Sequence, residues 1–505
     1  MLPRLNSFLK SINPSFLVGF ILLAGVFLRL WRLAHNDLWF DETCSIYISE
    51  RLSDYIARDY NPPLYYVLLH FWIRFLGSGE FFLRFFSVVF NVATIFIIYK
   101  LGRLLLDVRV GLVSAFLLAL SPLHIWYSQE ARGYTLSIFF TVLSVYFFVS
   151  ALKKDKFYFW CLFTASSICS LYSSYYFIFI VFGEFVVLLA SRYRRFIGKW
   201  LASSFFSLLA FLPLLGIFLN QVKSVKKGFW VNVPTLGSVI ISFENFNTGY
   251  NAGEVIYFFG MLLFSALFAY GIFYCYRKSR ENAVILFSFA LLPVIMVFAV
   301  SHWIPVYIDR HLILYSAFYY IAVAVAVDKI SKSLFVRAAV LICLSALMVY
   351  PLFNYFSGYM PSGYEHHVGT YAKKPFKPLV NYIKRYYREG DVIVHTNPST
   401  MGSFLYYCRP KIKNLYFFIP SYEDPYWKKL RLEQGALTSA FDLTRNAGLE
   451  GYRRIWLVSS SWSRDGALDD NSKAVMKFLS ERYPQADFME FDGIIVVLYS
   501  GGTPA

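Results

Sequence analysis

Two adjacent carboxylates, Asp41 and Glu42, follow Leu38-Trp-Phe, a few residues beyond an apolar segment that ends in Arg29-Leu-Trp-Arg32. A carboxylate close to a membrane surface is partly desolvated, which raises its proton affinity and suits it to general-base work. The structural alternative is that Asp41 caps a helix starting at Glu42, and the two roles are compatible. Other chemistry-bearing residues recur at comparable places. Asn61 precedes Pro62-Pro63, which fix an extended entry into a helix. Arg84 opens a long apolar run, where an arginine either snorkels to lipid headgroups or holds a phosphate through its fork of donors. Residues 122–134 place Glu130 and Arg132 in one short connection. A surface pair of these two would contribute little stability, whereas charge beside a bilayer is a functional signal. Arg310-His311 stands at the mouth of a late apolar run; Arg310 is the phosphate candidate, and a lone His is more often structural.

The elements that must position these residues are apolar helices. The 505 residues are 57% hydrophobic, 20% aromatic and only 16% charged. Mean hydropathy is +0.50. That composition excludes disordered, collagen-like and disulfide-scaffold classes. A spanning helix needs about 20 apolar residues. Eleven segments meet that pattern: 15–33, 83–106, 109–127, 133–152, 157–173, 175–191, 200–219, 254–276, 282–301, 310–328 and 334–355. Residues 42–57 and 63–76 are aromatic and amphipathic but lack clean spanning length, so they read as interfacial helices.

The formal charge of +17 would suggest nucleic acid in a soluble chain, but the basic residues sit in short loops between apolar segments. Those alternate loops, with Lys153, Lys154, Arg192, Arg194, Arg195, Arg277 and Lys329, are expected on the cytoplasmic side. The N-terminus is then inside, and the candidate residues collect outside, as does everything after residue 356. Carboxylates and arginines gathered on one face argue for a surface reaction rather than a channel or pump. Residues 391–395, 454–459, 486–491 and 494–499 read as strands and 473–482 as a helix. The expected architecture is therefore an α-helical polytopic membrane module over 1–356 and an extracytoplasmic α/β domain over 357–505. The segment after 356 has neither a P-loop nor Gly-x-Gly-x-x-Gly. Cys44 and Cys408 lie outside the apolar segments and are candidates for a disulfide.

At these residues the chain resembles the GT-C superfamily of polytopic glycosyltransferases. It is similar to the bacterial family 39 type, with protein O-mannosyltransferases and the lipid A aminoarabinose transferase as relatives. The resemblance rests on Arg29-x-x-Arg32, Leu38-Trp-Phe-Asp41-Glu42, Pro62-Pro63-Leu-Tyr-Tyr, Arg84, Gly102-Arg103, Tyr127-Ser-Gln-Glu130-Ala-Arg132-Gly-Tyr134 and Arg310-His-Leu, and covers roughly residues 15 to 330. It implies a sugar donor on a polyprenyl phosphate or diphosphate, and a lipid, glycan or protein acceptor, but no nucleic acid. It implies Asp41 as catalytic base, with Glu42 beside it and Glu130 as a second-loop acid. Arg84 matches an arginine that the mannosyltransferases need. Asn61, Arg132, Arg310, His311 and Arg29 are the further substrate-binding candidates. Where relatives carry His or Glu-Lys before Pro-Pro, this chain has Tyr60-Asn61. No cofactor is therefore implied; a divalent metal is compatible with the family, but no ligand spacing signals one. The expected place is the cytoplasmic membrane. The rival classes are a lipid-linked sugar transporter or flippase and an O-antigen ligase or polymerase.

Overall fold

Apolar runs fold as helices because a helix satisfies its backbone polar groups within the segment, which a bilayer demands. In the computed structural model, which describes residues 13–55, 59–227, 231–361, 363–368, 373–396, 398–408, 414–416, 449, 452–460, 468 and 470–501, each of the eleven apolar segments is helical. The longer helices in chain order are α1 (Pro14–Leu30), α2 (Phe40–Glu50), α3 (Leu64–Leu76), α4 (Glu80–Leu105), α5 (Val108–Leu120), α6 (Pro122–Ser128), α7 (Tyr134–Lys154), α8 (Phe157–Leu171), α9 (Ile178–Ala190) and α10 (Ile197–Lys227). They continue as α11 (Leu236–Thr248), α12 (Glu254–Lys278), α13 (Arg280–Ala290), α14 (Leu292–Val300), α15 (Asp309–Lys329) and α16 (Leu334–Ser357). Then follow α17 (Phe376–Tyr386), β1 (Val392–His395), α18 (Pro398–Cys408), β2 (Asn414–Tyr416), β3 (Arg454–Ser460), α19 (Asp470–Arg482), β4 (Gln485–Phe491) and β5 (Ile494–Ser500). Among the described residues, seven helices are long and apolar enough to cross a membrane, or eight if the bent pair α5–α6 counts as one span. The other expected spans, at α1, α8 and α9, are shorter apolar helices.

Contacts divide the chain into two units, Met1–Leu33 with Asp59–Tyr371, and Ala34–Arg58 with Ala372–Ala505. The first outer segment is thus grouped with the residues from 372 onward, where the sequence reading joined it to the helices and drew its boundary at 356.

In the first unit, α15 packs against α5, α7, α12 and α13 and is buried from Leu312 through Asp328. The outward faces of α1 and α10 carry exposed Phe16, Phe20, Leu23, Leu201, Phe205, Phe206 and Leu208. Apolar surface on that scale suits lipid, not water. The loops expected to be cytoplasmic meet at one end through Lys329–Asp107 at 2.6 Å, Arg337–Asp328 at 3.0 Å, Lys199–Asp155 at 2.5 Å and Arg192–Glu281 at 3.6 Å.

Glycine sets one helix crossing. A Cβ on Gly271 of α12 would lie 2.0 Å from the Ala322 carbonyl oxygen of α15, whereas one on Gly216 meets nothing within 4 Å. Overpacking typically costs about 1–3 kcal/mol. Gly271→Ala is therefore expected to lower the thermal midpoint of the detergent-solubilised chain, and Gly216→Ala to leave it nearly unchanged. Equal midpoints for the two variants would contradict this packing.

The second unit holds a five-stranded sheet in the order β2-β1-β3-β5-β4. β1 runs parallel to β2 and β3, and β5 runs antiparallel to β3 and β4. Val392, Val394, Ile455, Leu457, Val497 and Tyr499 pack with Val475, Phe478 and Leu479 of α19. On the other face Ile393, Trp456, Val458, Val496 and Leu498 pack with Phe376, Leu379, Val380 and Ile383 of α17. Covering on both faces explains the unbroken apolar run of β1. The four strands and the late helix read from sequence all form; α17, α18 and β2 were not foreseen. Cys44 and Cys408 are both buried but stay thiols, so the disulfide considered for them is absent.

His395 closes β1, buried, with Nδ1 3.2 Å from Thr400 Oγ1. Burial pushes its pKa down to about 3. The unfolded chain then binds an extra proton between about pH 6.5 and 3, so this contribution is full above ~6.5 and lost as pH falls through that window. The loss is at most ~1.4 kcal/mol per pH unit for one group. Protease sensitivity of residues 372–505 in the full chain should rise across this range, and His395→Gln should flatten the rise. An unchanged slope in the variant would assign the effect elsewhere.

Candidate functional site

The site begins at a broken helix. The sequence reads 109–127 as one span, but α5 and α6 meet at 59°. Pro122 cannot donate to the α5 ladder, and Ser121 starts the new helix by accepting from the His124 N–H at 3.4 Å. The break leaves carbonyls at the end of α5 without helical donors. Arg29 supplies them: Nη1 donates to Ala119 O at 2.9 Å and Nη2 to Leu118 O at 3.1 Å. Its Nε donates to Asn91 Oδ1 at 2.7 Å, and its Nη1 also to Gly25 O at 3.0 Å. The structure thus gives Arg29, expected to bind substrate, the work of closing the α1–α5 junction. Asn91 continues to His124 at 3.4 Å, and His124 Nε2 to Ser316 Oγ on α15 at 2.8 Å.

Beyond the break, α6 leads into the connection carrying Glu130 and Arg132. Glu130 is buried and accepts from Trp126 Nε1 at 2.9 Å. Gln129 donates to the Arg29 carbonyl at 2.9 Å and accepts from the Tyr355 hydroxyl at 2.8 Å, which fixes the loop to α1 and α16. Arg132 lies over the Tyr134 ring at 5.9 Å. Tyr134 meets His311 edge to face at 5.7 Å, and Tyr176 stacks flat on His311 at 4.6 Å and 6°. Arg132 and Arg310 both act electrostatically on His311. The structure therefore brings Arg132 into one cation–aromatic group with the adjacent pair Arg310 and His311, more than 170 residues later in sequence. Glu130 and Arg310 both act on Tyr127, whose hydroxyl meets that of Tyr250 at 2.6 Å. Burial, then Tyr127 and Asp309, push the Tyr250 phenol well above its ordinary value.

Arg84, also buried, donates from Nη1 to Leu33 O at 3.0 Å. One turn on, Ser87 Oγ donates to the Arg132 carbonyl at 3.4 Å, so α4 abuts the Glu130–Arg132 connection. Asn61 is held by Asp59: its backbone N–H and Nδ2 both donate to Asp59 Oδ1 at 2.7 Å. Burial and Asp59 raise the Tyr66 phenol pKa, and Arg132 opposes them, so the Asn61 turn and Arg132 share a neighbourhood.

Two acids of this group escaped the sequence reading. Asp309 accepts from Ser242 Oγ and Asn245 Nδ2 of α11, each at 2.5 Å, and thereby sets the start of α15 that presents Arg310 and His311. Asp59 organises the Asn61 turn. Asp309 stands next to Arg310 and Asp59 two positions before Asn61 in the sequence, and that proximity was the available signal.

Asp41 and Glu42 belong to the second unit. The helix starts at Phe40 with Trp39 as N-cap, not at Glu42. Glu42 reaches back to accept the Trp39 N–H at 3.3 Å, so the capping expected of Asp41 falls to Glu42. Glu42 is fully buried, while Asp41 is half-buried at the positive end of the helix dipole. Among the described residues, no three His, Cys, Asp or Glu side chains are grouped to hold a metal ion.

Residues 60–217 match the model of the family described as dolichyl-phosphate-mannose-protein mannosyltransferase. No curated protein matches the sequence. ArnT from Cupriavidus metallidurans in the apo state is similar in structure, with a TM-score of 0.67 at 10% identity, over 96% of this chain and 98% of that one. The same protein bound to undecaprenyl phosphate gives 0.65 at 11% identity, over 95% and 97%. The archaeal oligosaccharyltransferase AglB from Archaeoglobus fulgidus, in complex with an inhibitory peptide and a dolichol-phosphate, gives 0.55 at 11% identity, over 98% of this chain and 74% of that one. The family match covers under a third of the chain, and what ArnT and AglB share with it at 10–11% identity is the polytopic helical fold.

Proposed function

We propose that the chain is a membrane glycosyltransferase of the GT-C superfamily, moving a sugar from a polyprenyl phosphate or diphosphate to an acceptor hydroxyl at the outer face of the cytoplasmic membrane. The observation that carries the reading is the gathering of Arg132 and Arg310 about His311 at the start of α15. Lys329, in the basic loops, closes the same helix. At 1.5 Å per residue, these two ends lie about 30 Å apart, the thickness of a hydrocarbon core. Two forked cations at the mouth of a spanning helix suit an anionic headgroup arriving from lipid. Undecaprenyl phosphate in ArnT and dolichol-phosphate in AglB, proteins of the same fold, support that choice of donor.

Asp41 takes the proton of the acceptor hydroxyl as its oxygen attacks the anomeric carbon. The carbon–oxygen bond to phosphate breaks, and the polyprenyl phosphate leaves with the electron pair. Arginines stabilise the charge that develops on that leaving group, which needs no acid. One displacement inverts the anomeric centre. A retaining route requires a second carboxylate as nucleophile, and Glu42, engaged in its cap, does not suit that role. The acceptor is a lipid, a glycan or a protein hydroxyl.

The test is incubation of the detergent-purified chain with polyprenyl-phosphate sugars and a panel of alcohols. Sugar transfer or release, with stoichiometric polyprenyl phosphate, is expected. Movement of intact donor across vesicle leaflets without bond cleavage would instead make the chain a transporter.

A further inference from the structure

The segment that carries Asp41 is held by residues more than 300 positions later. Asp37 accepts from the Lys377 N–H at 2.7 Å and pairs with Lys377 Nζ at 3.2 Å. The Leu38 N–H donates to the Tyr407 hydroxyl at 2.7 Å. The Tyr47 hydroxyl donates to the Gly402 carbonyl at 3.4 Å. A Cβ on Gly402 would stand 3.0 Å from Thr43 Oγ1, so α18 lies tight against α2. Between these contacts, Lys373 Nζ lies 3.6 Å from Glu42 Oε2, with side-chain exposures of 6% and 0%.

A buried carboxylate is tolerated when a counter-charge and hydrogen bonds replace its water. Glu42 has both: the Lys373 ammonium and the Trp39 N–H. Its cap and its charge balance therefore depend on each other. Losing the ammonium removes a counter-charge from a fully buried carboxylate, which favours its movement toward water and so weakens the Trp39 bond. The turn that then loosens is the one on which Asp41 stands, since Asp41 lies between the cap residue and Glu42.

We infer that Lys373 is a positioning residue for glycosyl transfer: by balancing buried Glu42 it fixes the first turn of α2 and hence the carboxylate of Asp41. The α/β domain is in this respect part of the catalytic scaffold. The inference rests on the transferase reading with Asp41 as base. It assigns Lys373 no contact with donor or acceptor, which separates it from the arginines of the helical unit.

The experiment compares Lys373→Met, Lys373→Arg and the double variant Glu42→Gln/Lys373→Met in the full-length protein. A displacement of about 1 Å at a reacting group can cost ~10²-fold. Lys373→Met should lower kcat by about tenfold to 10²-fold and leave the donor KM within about threefold. Lys373→Arg should recover part of the loss. The double variant should recover more, because Gln keeps the cap acceptor and needs no counter-charge. Hydrogen exchange of the 38–47 amides gives a readout that needs no activity: about fivefold faster in Lys373→Met, as for a lost cap, and restored in the double variant. If exchange and kcat in Lys373→Met stay at wild-type values, or if the double variant is as impaired as the single, the inference falls. If wild type transfers no sugar, the transferase reading falls, and the exchange data alone still decide whether Lys373 fixes this turn.

Discussion

Replacing Asp41 by Asn should abolish sugar transfer while leaving expression and donor binding nearly intact. Asn keeps the size and shape of the side chain and tolerates the first helical turn, so packing around α2 persists. What it cannot do is take a proton from an acceptor hydroxyl. Losing a general base costs roughly 10²–10⁴-fold. The structure sharpens the contrast with the neighbouring acid. Glu42 is buried and accepts the Trp39 N–H, whereas Asp41 is half-buried one residue earlier. Glu42→Gln preserves an acceptor for that N–H and should retain more activity than Asp41→Asn. Initial rates at saturating donor make the comparison direct. An Asp41→Asn enzyme with more than about a third of wild-type turnover would leave this carboxylate without a place in the chemistry, because so small a loss is far below the ~10²-fold that general-base removal costs.

The second large effect concerns the donor phosphate. Arg132 and Arg310 come from connections far apart in sequence and meet around His311, with Tyr134 and Tyr176 packed on its ring. A charge-assisted contact contributes about 1.5–3 kcal/mol, and each ~1.4 kcal/mol is a decade of affinity. Arg132→Ala and Arg310→Ala should therefore each weaken donor binding by about tenfold or more, with every acceptor tried. Lysine keeps the charge but loses the fork, so Arg→Lys should fall between. Arg132→Lys also gives up the planar contact over Tyr134 seen at 5.9 Å. If both guanidiniums hold one phosphate, the double alanine variant should lose less than the sum of the two single losses in free energy. Donor binding measured by quenching or calorimetry reads all five variants. Unchanged affinity in both alanine variants would remove the phosphate from this group. Arg84→Ala should behave differently, losing stability as well as donor use, because its guanidinium already donates to the Leu33 carbonyl at 3.0 Å.

What local composition determines was legible in the sequence. A run of some twenty apolar residues forms a helix whatever surrounds it, since its backbone bonds close within the segment; α4, α7, α12 and α15 follow their predicted ranges to within a few residues. The buried strands β1, β3 and β5 were readable for a similar reason, being short apolar runs rich in Val and Ile. Charge beside those helices pointed to Arg132, Arg310 and His311 one by one.

Tertiary structure alone decided what each charge faces. Pro122 is visible in the sequence, but the carbonyls it exposes are answered by Arg29, 90 residues away, through a helix contact that no local pattern encodes. The same holds for Asp309, whose acceptors are filled from α11, and for the grouping of 34–58 with the sheet domain rather than with the flanking helices. Glu42 stands out in the sequence only as the neighbour of Asp41, and Lys373 is an ordinary charged residue there. Their separation of more than 300 residues hides the pair, and only burial of both side chains makes either one depend on the other. A hydrophobic run carries its own reason to fold, whereas a buried charge is defined by its partner, and the partner is chosen by packing.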